Sequence, residues 1–266
     1  MIRDMTLGQY YKADSVLHRL DPRVKLLGTV LFVITLFLPK SPYSIAVATL
    51  FLAVLIAISK VPVTFILKGI RPLLFIICFS AIVNLLFTPG QVILQMGVLR
   101  ITKEGIYLAA YLVVRLIYLI MGSSLMTFTT TPNQLTDGIE KGLGFLNYFH
   151  VPVHEFAMMM SIALRFIPIL TEELDKIMKA QMSRGADFEM GGLITRGKKL
   201  VPVLVPLFIA AIRRASDLAL AMDARCYHGG QGRTKLRPLQ YEKRDYIAYF
   251  VLLLYVIIMV ICSFVI

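Results

Sequence analysis

Apolar residues fill this chain in long blocks separated by short polar breaks. Five blocks, 24–38, 43–59, 72–87, 105–128 and 246–266, predict membrane-crossing helices. A hydrocarbon core of about 30 Å takes roughly 20 helical residues. The first three blocks fall short of that, so tilt or flanking snorkelling residues must help them span. The polar stretch before them, "MIRDMTLGQYYKADSVLHRLDPRVK", has no apolar h-region, so no cleavable signal peptide is expected.

The region from 129 to 244 has a different pattern. It is basic, punctuated by glycine and proline, and still rich in apolar residues. Thr131 before Pro132 reads as a helix cap with proline in the first turn. "VPVHEFAMMMSIALRFIPIL" follows, with Pro152 at its start and Pro168 expected to interrupt it. His154, Glu155 and Arg165 are costly at membrane depth, so this helix is expected to be partly immersed or packed against neighbours. Leu170, Leu174, Ile177, Met178 and Met182 then recur at helical spacing. The opposite side places Glu172 before Lys176 and Asp175 before Lys179, the favourable i, i+4 order. A second long helix is expected at about 200–227, with Phe208, Ile212, Ala215, Ala219 and Met222 along one side and Arg213 paired with Asp217 on the other.

Composition agrees with a membrane protein: 58% of the residues are apolar, 17% are charged, and the mean hydropathy is +0.75. The expected fold is all-α and polytopic, with about five transmembrane helices. Helices 1–4 occupy 1–128, a cytoplasmic domain of long amphipathic helices occupies 129–244, and the last transmembrane helix occupies 245–266. With the N-terminus inside, 5 basic residues in 1–25, 3 in 59–71 and 16 in 129–244 face the cytoplasm. Lys40, Arg100 and Lys103 fall outside, which sets the direction in a cell (inner or plasma) membrane. The net charge of +12 is then accounted for by topology and anionic lipid, and no nucleic-acid partner is expected.

Catalytic patterns fail on inspection. "GLITRGKK" at 192–199 nearly matches a phosphate-binding loop, but Lys199 stands where the Mg²⁺-binding hydroxyl belongs and no strand precedes it. Pro152 separates His150 from His154 and Glu155, which argues against a shared metal face. Cys78, Cys226 and Cys262 form no CxxC and read as small core residues. No enzymatic activity and no metal or cofactor is expected in this chain. Arg115 lies inside a span, where a structural partner in the bundle is expected.

Two arginines stand apart because they match. Ala180-x-x-x-Arg184-Gly185 and Ala221-x-x-x-Arg225-Cys226 each place an arginine at a helix exit, after the small residues Ser183 and Ala224. A cation suits the negative end of a helix dipole. Two such arginines with cleared space around them suggest planar donors offered to a partner's carboxylates or carbonyls. Met158, Met159, Met160, Met178, Met182, Met190 and Met222 also fall in this region. They fill a core or form a compliant surface that re-packs against several partners.

With "SVLHRLDPRVKLL" at 15–27, these motifs resemble the transmembrane T components of energy-coupling factor (ECF) transporters, related to cobalt-transport membrane subunits. The resemblance covers essentially the whole chain and departs from the Ala-Arg-Gly pattern at Ser183 and Cys226. It implies a non-catalytic scaffold that joins two ABC-type ATPase subunits to a membrane S component capturing a vitamin or metal ion. ATP and Mg²⁺ are then bound by the ATPases. Arg184 and Arg225, flanked by Ser183, Gly185, Ala224 and Cys226, would be the docking contacts. Asp21, Pro22 and Arg23 read as structural, with Asp21 capping and Pro22 starting the first span. The alternatives are a stand-alone carrier or channel, or a membrane-embedded lipid transferase.

Overall fold

The computed structural model describes residues 10–38, 42–96, 99–188, 192–229 and 238–264, nearly all of them helical. The chain divides into two compact units, one of 1–141 with 239–266 and the other of 142–238. The first unit opens with α1 (Val16–Arg19), α2 (Pro22–Thr35), α3 (Pro42–Ser59), α4 (Val63–Ile70) and α5 (Leu74–Phe87). An antiparallel hairpin of β1 (Val92–Met96) and β2 (Leu99–Thr102) leads to α6 (Lys103–Thr129) and α7 (Pro132–Gly142). The second unit holds α8 (Val153–Ser183) and α9 (Leu193–Ala224), and the chain returns to the first with α10 (Lys243–Phe264).

The core of the first unit forms where α2, α3 and α10 meet. Phe32, Leu36, Ala48, Leu52, Tyr255 and Met259 are buried together. The Phe51 and Tyr255 rings stack at 4.1 Å, and Thr35 Oγ1 donates to the Tyr255 hydroxyl at 3.2 Å. A side chain at Gly122 would put its Cβ 2.5 Å from the Phe32 ring, so glycine there lets α6 approach α2. Large apolar side chains such as Phe75, Phe79, Phe250 and Leu253 are exposed on the outer faces. Helices apolar all round belong in lipid.

Four segments are long and apolar enough to cross a membrane: Val63–Phe87, Lys103–Thr129, Val153–Ser183 and Lys243–Phe264. Tyr43–Ser59 is a shorter apolar helix. The helical, multi-pass class therefore stands, while individual blocks shift. The expected span at 24–38 is a helix of 14 residues, a rise of about 21 Å, short of the hydrocarbon thickness. The block at 72–87 belongs to a longer segment because Pro72 tightens a single 3₁₀ turn, Arg71–Leu73, without stopping the chain's course. Cys78 and Cys226 are exposed and Cys262 is half-buried, so they are not the core residues the sequence suggested.

In the second unit, α8 and α9 are each continuous over more than 30 residues. Pro168, expected to interrupt α8, lies inside it, as do Pro202 and Pro206 inside α9. A helical proline removes one N–H and frees one carbonyl. At Pro206 the freed carbonyl is that of Pro202, and the Gln181 side-chain amide donates to it at 3.3 Å. A residue of α8 thus repairs a defect of α9. The i, i+4 pairs expected on these helices are not closed among the described residues; the ion pair that forms links the helices, Arg214 to Glu173 at 2.8 Å. Gln181 opposite Pro202 and Glu173 opposite Arg214 set the two helices antiparallel.

Candidate functional site

The two arginine motifs close with the same backbone geometry. Arg184 is the C-cap of α8, where the Ala186 N–H bonds the Gln181 carbonyl at 3.0 Å and the Gly185 N–H bonds that of Met182 at 2.9 Å. Arg225 is the C-cap of α9, where the Tyr227 N–H bonds the Met222 carbonyl at 3.1 Å and the Cys226 N–H bonds that of Asp223 at 2.9 Å. Both are Schellman closures, which turn the residue after the cap into the left-handed region. Gly185 takes φ +87° there and Cys226 φ +54°. The glycine of an Ala-Arg-Gly motif is therefore explained by helix termination. Cysteine at 226 adopts the same turn at some strain.

Both guanidinium groups are exposed, and among the described residues neither has a hydrogen-bond or ion-pair partner. Ser183 and Ala224 are exposed beside them. Because α8 and α9 run antiparallel, the two arginines occupy opposite ends of the pair. Arg225 lies against the first half of α8, in an open groove of about 680 Å³ that it shares with Arg165, Ser161 and His228. From Arg165 to Arg184, α8 rises about 28 Å. The site is thus two cationic tips held far apart on one stiff pair of helices.

The faces of the pair differ from the expectation. Val203, Leu207, Leu218 and Met222 are the covered side of α9, while Leu204, Phe208 and Ile212 are 55%, 67% and 50% exposed. Of the stripe expected on α9, Met222 alone is on the packed side, because Pro202 and Pro206 start the helix earlier and α8 takes the adjacent face. Met158, Met178 and Met222 are half-buried, whereas Met159, Met160 and Met182 are about half exposed. Met190 lies outside the described residues.

In the first unit, Asp21, Pro22 and Arg23 form a junction. Asp21 caps α2 by accepting the Arg23 N–H at 2.9 Å, and its carboxylate holds the Arg23 guanidinium at 3.0 and 3.1 Å. Arg23 also lies 4.0 Å over the Tyr241 ring. A Cβ on Gly138 would come within 2.9 Å of Pro22, so glycine is what lets α7 pass there. Asp245, buried at the start of α10, accepts the Asp21 N–H. Lys25 is buried too, donating to the carbonyls of His18 and Thr129. Sequence reasoning missed Asp245 because an acidic residue in a helix's first turn reads as an ordinary dipole partner.

Arg115 finds no acidic partner among the described residues. Its guanidinium carbon lies 4.4 Å from the Tyr111 ring centre and 5.2 Å from that of Phe37. Cation–π contact stabilises the charge in place of a carboxylate.

A multi-pass helical membrane protein that offers two exposed arginine-capped helix ends, with no catalytic constellation around them, is built as a coupling component. A family model described as "Cobalt transport protein" matches residues 13–236. The chain is similar to the energy-coupling factor transporter transmembrane proteins of Ruminiclostridium cellulolyticum, 51% identical over 92% of each chain, and of Heliobacterium modesticaldum, 52% identical over 92% of each. The corresponding protein of Bacillus subtilis is 45% identical over 92% of this chain and 93% of its own. The chain belongs to this family, the transmembrane scaffold proteins of ECF transporters. That membership favours a transporter component over a stand-alone carrier or a lipid transferase.

Proposed function

We propose that this chain couples two ABC-type ATPase subunits to a substrate-capturing S component, with its N-terminus and its second unit on the cytoplasmic side of the cell membrane. The observation that carries the reading is the matched pair of Schellman-closed helix ends, each presenting an exposed arginine with no partner among the described residues. A planar guanidinium offers a fork of donors to a carboxylate or a pair of carbonyls. Each ATPase grips one tip, Arg184 or Arg225. ATP and Mg²⁺ are held by those subunits, and hydrolysis happens there.

Relative movement of the ATPases displaces two points about 28 Å apart along α8. The helix pair acts as a lever because Glu173–Arg214 and Gln181–Pro202 tie its members together. The exposed row Leu204, Phe208 and Ile212, with Met159, Met160 and Met182, receives the S component. Methionine re-packs readily, which suits exchange among S components that carry different vitamins or metal ions.

The test is copurification of the ATPases with tagged chain, together with uptake in reconstituted vesicles. Arg184→Ala and Arg225→Ala should each weaken assembly by about 2–4 kcal/mol where the partner charge is buried. The double substitution should release both ATPases. Undiminished copurification with uptake intact in the double variant would overturn the docking assignment.

A further inference from the structure

The first unit contains a groove of about 230 Å³ that the coupling role does not use. It runs among α1, α2, α3, α6 and α10, and its walls include Val24, Leu55, Leu125 and Leu252. From Arg244 to Leu252 along α10 is a rise of about 12 Å. That is close to the depth of one leaflet of a hydrocarbon core of about 30 Å. The volume lies below the roughly 300 Å³ at which pockets for compact small molecules begin. Its shape and size fit a single extended hydrocarbon chain.

The polar groups along the groove are nearly all occupied by the fold. Lys25 Nζ donates to the carbonyls of His18 and Thr129. Thr29 donates to the Lys25 carbonyl and Thr129 to that of Leu125. Arg244 is different. Its Nη2 holds Glu242 at 2.8 Å, but its Nε is shut from water with no hydrogen-bond partner among the described residues. A buried N–H without an acceptor is rare in a folded protein. The groove therefore presents hydrocarbon along its length and one unsatisfied donor of a permanent cation, on the residue that opens α10.

We propose that this groove binds one acyl chain of a phospholipid, with the lipid phosphate accepting from Arg244 Nε. A membrane protein meets this ligand wherever it resides. Two glycines shape the seat: Gly122 brings the Phe32 ring against α6, and Gly28 leaves the groove open beside Leu252. A Cβ at Gly28 would stand 3.7 Å from Leu252 Cδ1, an ordinary contact, so a larger residue there fills the groove without displacing backbone. The bound lipid would wedge α2, α6 and α10 near the Asp21–Asp245 junction. It would tie the packing of the first unit to the membrane around it.

The experiment is native mass spectrometry of the detergent-solubilised full chain, titrated with dioleoylphosphatidylglycerol or with dioleoylglycerol, which lacks the phosphate. The wild-type chain should retain one molecule of the phospholipid and bind dioleoylglycerol at least tenfold more weakly. Arg244→Gln should erase that difference, and Gly28→Leu should abolish retention of both. Should Gly28→Leu fail to fold, Ile58→Trp on the opposite wall fills the same space and carries the same expectation. Equal binding of the two probes by the wild type overturns the assignment. So does phospholipid retention in a folded groove-filled variant that matches the wild type. Neither outcome bears on ATPase docking, which is read separately by copurification.

Discussion

Asp245 accepts the backbone N–H of Asp21 at 2.8 Å, across 224 residues of chain. The second oxygen of the same carboxylate accepts the Glu242 N–H at 2.8 Å, so one buried side chain closes the starts of both α2 and α10. Hydrogen bonds to a charged acceptor contribute about 1.5–3 kcal/mol each. Asp245→Ala should lower unfolding stability by about 3 kcal/mol, while Asp245→Asn, which keeps one acceptor, should cost roughly half as much. Thermal unfolding in detergent measures both. Equal losses in the two variants would mean that Asp245 acts through packing alone.

The paired arginine motifs differ at the residue that turns left-handed, and the substitutions should therefore have opposite signs. Gly185 sits at φ +87° with open space around it, so Gly185→Ala should destabilise the end of α8 by about 1 kcal/mol from backbone strain alone. Cys226 sits at φ +54°, and Cys226→Gly should stabilise the end of α9 by about 0.5–1 kcal/mol. Hydrogen exchange at the Ala186 and Tyr227 amides, which close the two turns, reads each effect locally. A loss of protection at Tyr227 in Cys226→Gly would contradict the strain assignment.

His18 supplies a pH dependence. Its Nε2 lies 2.9 Å from the Tyr11 carbonyl and its Nδ1 2.7 Å from Ser15 Oγ, an arrangement suited to the neutral ring. Burial pushes its pKa below the ordinary value of 6.5, outweighing the hydrogen bond to Tyr11. The unfolded chain therefore takes up the proton first as the pH falls, and the folded state loses stability below about pH 6.5. The unfolding midpoint should fall between pH 8 and pH 5.5 in the wild type, and fall less in His18→Gln. The same drop in both proteins would move the dependence to another group.

The class of the protein was readable from hydropathy, because lipid demands long apolar helices and leaves little room for other solutions. The cap at Thr131 was legible for a similar reason: its hydroxyl accepts the Gln134 N–H while its own N–H bonds Gln134 Oε1, all within four residues. Asp21 as the cap of α2 followed the same local logic. Contacts between distant segments were not legible. Pro168 and Pro206 read as stops because a lone helix loses about 3 kcal/mol or more at an interior proline. In the folded chain, Gln181 reaches across from α8 and satisfies the carbonyl that Pro206 leaves free.

The sequence alone determined the helical membrane architecture, the two arginine-ended helices and the capped start of α2, since each depends on residues within a few positions of one another. Only the tertiary structure decided that Arg184 and Arg225 occupy opposite ends of an antiparallel pair, that Phe208 and Ile212 face outward, and that Arg115 rests between Tyr111 and Phe37. Those outcomes depend on which helix faces which, and periodicity defines a helix's faces without naming what covers them.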